Sequence, residues 1–66
     1  GTACSVLNGA NEAAVGLYLQ KKIGFYDISD AVAAALDAVP QVNTPVLSDV
    51  LEADRQARDV VSARFR

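Results

Sequence analysis

Apolar residues return along this chain at intervals of three and four, the spacing that lines one face of an α-helix. The pattern predicts a first helix over about 5–23, with Leu7, Ala10, Ala14, Leu17 and Lys21 on one stripe and Val6, Ala13 and Leu19 flanking it. Lys21 and Lys22 fall in its expected last turn, where cations oppose the partial negative charge of the free carbonyls. Gly24 is placed to take the left-handed conformation that closes a helix, with Phe25 supplying the accompanying apolar contact. Gly16 lies mid-helix, where glycine costs about 1 kcal/mol relative to alanine; a close approach by a neighbouring helix is the reason it suggests.

A second helix is predicted over about 28–39. Asp27 suits its N-cap, Asp30 adds negative charge to its first turn, and Tyr26 and Ala31 stand where a hydrophobic staple would form. Its stripe is Ile28, Val32, Ala35 with Leu36, and Val39, and Pro40 stops it. The linker 40–45 holds two prolines and an asparagine, a true break. A third helix follows over about 46–64, starting at Thr44 with Pro45 or at the rival cap Ser48. Leu47, Val50, Leu51, Asp54, Ala57, Val61 and Phe65 form its stripe, and Arg64 and Arg66 favour its C-terminal dipole. No strand signal, repeat or low-complexity tract competes. The expectation is a single all-α domain over 1–66, a three-helix up-and-down bundle forming part of a larger helical bundle.

Composition narrows the picture. A chain of 66 residues hides only about 60% of the surface its unfolded form exposes. Alanine and valine supply much of the 52% hydrophobic fraction, with no Trp or Met, which suits close helix contact better than an aromatic pocket. One cysteine and no histidine exclude an internal disulfide and a Cys/His zinc site. The net charge of −2 argues against a nucleic-acid partner. No apolar run is long enough to span a membrane, and the opening GTACSVLNG lacks the basic start of a complete signal peptide. An unpaired cysteine fits the reducing cytoplasm.

Few residues invite chemistry. Asp54 falls inside an apolar stripe, so it needs a partner; Arg58 lies one turn on, and the pair could also reach another helix. A binding carboxylate is the other reading, but one acid without a second ligand or base makes poor chemistry. Asn8, Asn11 and Glu12 suit bonds to free helix-end groups or to the Asp54 region rather than a ligand site. Glu12, Asp54 and Asp59 share no face that would hold a metal. Cys4 has no histidine to activate it and is expected buried or half-buried; Tyr18 and Tyr26 read as core edges with wet hydroxyls. No catalytic, cofactor-binding or metal-binding residue is assigned. An acyl carrier would need a serine after an aspartate at a helix start, whereas Ser48-Asp49 has the reverse order and Ser29-Asp30 is no better. An independent interaction or dimerisation module remains open, as does self-association of an isolated fragment.

Three blocks add a resemblance. Leu7-Asn8-Gly9-Ala10-Asn11-Glu12, then Ala14-Val15 and Tyr18-Leu19, resembles the Leu-Asn-Ala-Ala-Asn-Glu segment that opens the last helical region of 1-deoxy-D-xylulose 5-phosphate reductoisomerases. Lys22-Ile23-Gly24-Phe25-Tyr26-Asp27-Ile28 is similar to that family's Lys-Ile-Gly-Phe-Leu-Asp-Ile. Val50-Leu51 followed by Asp54, Ala57 and Arg58 resembles its Val-Leu-x-x-Asp-x-x-Ala-Arg. Gly9 departs from the usual alanine. The resemblance implies a non-catalytic C-terminal helical domain of a cytoplasmic enzyme. That enzyme converts 1-deoxy-D-xylulose 5-phosphate to 2-C-methyl-D-erythritol 4-phosphate in isoprenoid precursor synthesis, with NADPH and Mg or Mn held by other domains. It also implies a further helix before the Gly-Thr opening, an apolar face where that helix would pack, and the remaining domains of the enzyme as partners.

Overall fold

The computed structural model describes residues 1–66 and contains three helices, α1 (Ala3–Leu19), α2 (Asp27–Ala38) and α3 (Leu47–Arg64). Each touches the other two in an up-and-down bundle about 36 Å long and 17 by 16 Å across. The predicted all-α class and helix number are therefore observed, while the inward faces and several boundaries differ.

The core is built from small side chains. Six of its nine buried apolar residues are alanines, at 10, 14, 31, 35, 53 and 57, joined by Val6, Val39 and Val61. Methyl groups let the helix axes approach closely, and that closeness leaves no room for longer side chains at the centre. Ile28, Val32 and Leu36 are consequently displaced to a flank of α2, while Ala31 and Ala35 point inward. The same rule corrects α3. Its inward line runs Ala53, Ala57 and Val61, whereas Leu47 and Leu51, placed on the stripe by their size, are 73% and 60% exposed. On α1, Val6 is fully buried, Leu7 is exposed, and Leu17 packs only partly against the core.

The helix ends also depart from expectation. α1 closes at Leu19, and Lys21 rather than Gly24 takes the left-handed conformation, at φ 61°. The Lys21 N–H donates to the Tyr18 carbonyl and the Lys22 N–H to the Leu17 carbonyl, both at 2.9 Å, the paired bonds of a Schellman closure. Stopping there lets Ile23 pack against the core, while Phe25 stays mostly exposed. Asp27 is the first residue of α2 instead of its N-cap, because its carboxylate turns back to accept the Gly24 N–H at 2.8 Å. Tyr26 is 87% exposed, so no staple joins it to buried Ala31.

α2 ends where Pro40 requires, with Val39 extended at ψ 120°. α3 begins at Leu47, between the two expected starts at Thr44 and Ser48. The Asp49 carboxylate decides this, accepting the N–H of Val46 at 3.0 Å from three residues on. The linker is fastened by buried Thr2, whose hydroxyl oxygen accepts the Val42 N–H at 3.0 Å.

Candidate functional site

Two places combine polar or apolar groups in a way that could serve a function. The first is the seam between α1 and α3. Gly9 is buried there, and a Cβ built on it would lie 2.6 Å from one Asp54 carboxylate oxygen and 3.0 Å from the Asp54 carbonyl oxygen. Glycine is thus what lets α3 come this close. The expected crowding at Gly16 is absent, since a Cβ there would meet nothing within 4 Å.

Asp54 accepts from the Arg58 Nε at 2.9 Å, one turn along α3. The same guanidinium reaches across to Glu12 of α1 at 3.6 Å. The predicted Asp54–Arg58 pair and its reach to another helix are both present. The hydrogen bond and charge of Asp54, with a smaller contribution from Glu12, raise the Arg58 pKa further above its ordinary value. The cation is permanent and cannot shuttle protons. Asp54 is half-buried and not enclosed within a stripe. Asn8 and Asn11 are exposed, and Asn11 edges the groove described below rather than the Asp54 region.

Further out on α3, Arg55 holds both oxygens of Glu52 and one of Asp59. Hydrogen bonds from Arg55 and then Gln56 lower the Glu52 pKa to about 2. This ladder lies in water. No three His, Cys, Asp or Glu side chains gather closely enough to hold a metal ion. Cys4 is exposed, against the expectation that it is buried or half-buried, because the N-cap residue Thr2 and Val6 of α1 point inward and leave position 4 outside.

The second place is an open groove of about 400 Å³ between α1 and α2. Leu7 lines it from α1, Phe25 and Tyr26 from the turn, and Ile28, Val32 and Leu36 from α2. No charged residue lines it. At one end Phe25 stands edge-on to both Tyr18 and Tyr26, each pair with ring centres 5.8 Å apart. Tyr18 and Tyr26 therefore form a surface aromatic rim, with Tyr26 outside the core altogether.

The model of the DXP reductoisomerase C-terminal domain matches residues 1–60. The chain belongs to the DXP reductoisomerase C-terminal domain family. Among its relatives is the 1-deoxy-D-xylulose 5-phosphate reductoisomerase of Caldanaerobacter subterraneus subsp. tengcongensis, 35% identical over 98% of this chain and 17% of that protein. The reductoisomerase of Rippkaea orientalis is 48% identical over 92% of this chain and 16% of its own length. That of Xanthomonas oryzae pv. oryzae is 48% identical over 91% and 15%. The chain thus spans about a sixth of the length of these relatives. No solved structure matches it.

The resemblance blocks meet in space. Gly9 of the first touches Asp54 of the third, and Glu12 of the first reaches Arg58 of the third. The Lys22–Ile28 block forms the turn that closes α1 and opens α2. What the sequence did not reveal was the role of Gly9, noticed only as a family departure, and of Thr2, whose partner lies 40 residues away.

Proposed function

We propose that this chain is the C-terminal structural domain of a reductoisomerase acting on 1-deoxy-D-xylulose 5-phosphate, and that the α1–α2 groove is the face it packs against the rest of that enzyme. The supporting observation is the distribution of side-chain size. The core is filled by alanines while Leu7, Ile28, Val32 and Leu36 line an open, uncharged groove. Large apolar side chains stabilise a fold only when covered, and a contiguous apolar face of this kind marks a contact surface. Family membership supplies the partner, the remaining domains of the parent enzyme.

In this reading the domain contributes no catalytic residue. NADPH and Mg or Mn serve the parent's other domains, and the acids of this chain do not fit a metal, since none are grouped in threes. The parent is a cytoplasmic enzyme of isoprenoid precursor synthesis. No helix of the chain is long and apolar enough to cross a membrane.

The test is made on the full-length parent carrying Val32→Glu and Leu36→Glu, followed by thermal melting and by NADPH oxidation with the substrate. A lower melting temperature and faster thermal inactivation are expected, with KM unchanged in the fraction still folded. Melting and inactivation identical to the parent would refute the docking face. A change confined to KM would refute the purely structural role.

A further inference from the structure

We infer that the Asn8–Gly9 step of α1 is a site of spontaneous deamidation, held in check by the closed α1–α3 seam and released when that seam opens. Asparagine deamidates when the backbone nitrogen of the next residue attacks its side-chain amide carbon. The nitrogen bonds to Cγ and gives up its proton, the bond from Cγ to the side-chain nitrogen breaks, and ammonia leaves a succinimide ring behind. Water then opens the ring at either carbonyl. Opening at Cγ gives aspartate. Opening at the main-chain carbonyl gives isoaspartate, with the chain rerouted through Cβ and Cγ of residue 8. A Cβ on the following residue screens the attacking nitrogen, so glycine is the neighbour that leaves the attack open. Of the three asparagines, Asn8 alone precedes a glycine; Asn11 precedes Glu12, and Asn43 precedes β-branched Thr44. The missing Cβ is the one the seam demands, since it would stand 2.6 Å from an Asp54 carboxylate oxygen. Close packing and chemical vulnerability therefore have one cause at this position.

In the closed fold the reaction is blocked. Asn8 is exposed, but Gly9 is buried inside α1, where a helical N–H points along the axis to the carbonyl one turn back. Attack on Cγ requires that hydrogen bond to break and the backbone of Asn8 to leave the helical range. The motion unwinds α1 around Gly9 and lifts it from Asp54. Such local openings are fast beside ring closure, so the rate of conversion follows the population of the open form. Isoaspartate adds an atom to the backbone between residues 8 and 9, which breaks the helical ladder and keeps Gly9 from its place against Asp54. The aspartate product puts a second carboxylate one turn before Glu12, the acid that Arg58 reaches across the seam. Either product loosens the contact that had protected the step, and neither reverts to asparagine. The step thus keeps a lasting record of how often the seam has opened. The α1–α2 groove takes no part.

The experiment incubates the full-length parent in mildly alkaline buffer and follows its peptides by mass, with fragmentation to place each conversion. Methylation by an isoaspartyl methyltransferase counts the rerouted product. Asn8 should convert in the folded protein, at a rate at least about tenfold below that in fully unfolding urea. Urea kept below the unfolding transition should accelerate Asn8 while changing Asn43, on the exposed linker, little. Ala57→Leu, which overpacks the seam, should raise the Asn8 rate about tenfold. A melting transition checks that this variant folds, and the mild-urea series decides the matter if it does not. An Asn8 that stays intact in the folded protein, with and without mild urea, while the unfolded chain converts overturns the inference. So does a folded rate equal to the unfolded one, or a folded rate indifferent to mild urea, since either would leave the seam with no control over the step.

Discussion

The α1–α3 seam and the α1–α2 groove are built from the same helix by opposite means. At the seam, Gly9 and the alanines at 10, 14, 53 and 57 bring the helices together, and Arg58 spans the rim to Glu12. At the groove, Leu7 faces Ile28, Val32 and Leu36 across open space. Small residues close an interface within the chain, and large ones line an open groove. Side-chain size, more than hydrophobicity alone, separates the closed seam from the open groove.

That contrast can be broken most forcefully at Ala57, which is fully buried. Ala57→Leu should overpack the seam and cost about 1–3 kcal/mol, whereas Val32→Leu in the groove should change stability by less than about 0.5 kcal/mol. Denaturant melts followed by circular dichroism compare the two; equal losses would erase the distinction. Gly9 offers a finer probe. Alanine there would gain about 1 kcal/mol of helix propensity, but its Cβ would press on Asp54. Gly9→Ala should therefore be more favourable in an Asp54→Ala background than in the natural chain, by about 1 kcal/mol in a double-mutant cycle. Strict additivity would show that the Asp54 side chain adds no strain at this contact.

Arg58→Ala should lower the melting temperature by less than Ala57→Leu does, because the ion pairs it removes are partly exposed. The smallest effect lies on α3's outer face. Glu52 has its pKa lowered from 4.5 to about 2, so the stabilisation from its bond to Arg55 is complete above pH 4.5. It should fade as acid is added and vanish near pH 2. Carboxyl-carbon NMR of Glu52 reads this directly, and an ordinary midpoint would show that the ladder does not persist in solution.

Particular residues show what could be read in advance. The Asp54–Arg58 pair was visible because four residues make one helical turn, and Pro40 forced the end of α2. The inward faces were harder. A stripe drawn through the largest apolar residues chose Leu47 and Leu51, yet alanine lines opposite them admitted only small partners. Burial here depends on what a helix meets, and that is not written in its own periodicity. Gly24 looked like the closing glycine of α1, but Lys21 took the left-handed turn and let Ile23 reach the core. The groove followed from the same displacement of Ile28, Val32 and Leu36, and its lack of charge became evident only once α1 lay beside α2.

An interior of alanine methyl groups has a thermodynamic consequence. Alanine has no side-chain rotamers to lose, so ordering this core removes almost no torsional freedom beyond that of the backbone. Exposed Leu7 keeps its torsional freedom while the groove is open, and half-buried Ile28 and Leu36 keep part of theirs; covering costs each at most about 0.5–1 kcal/mol. If the groove is the docking face proposed above, the entropic toll of immobilising the larger side chains falls at assembly, where the apolar area hidden at that moment must outweigh it.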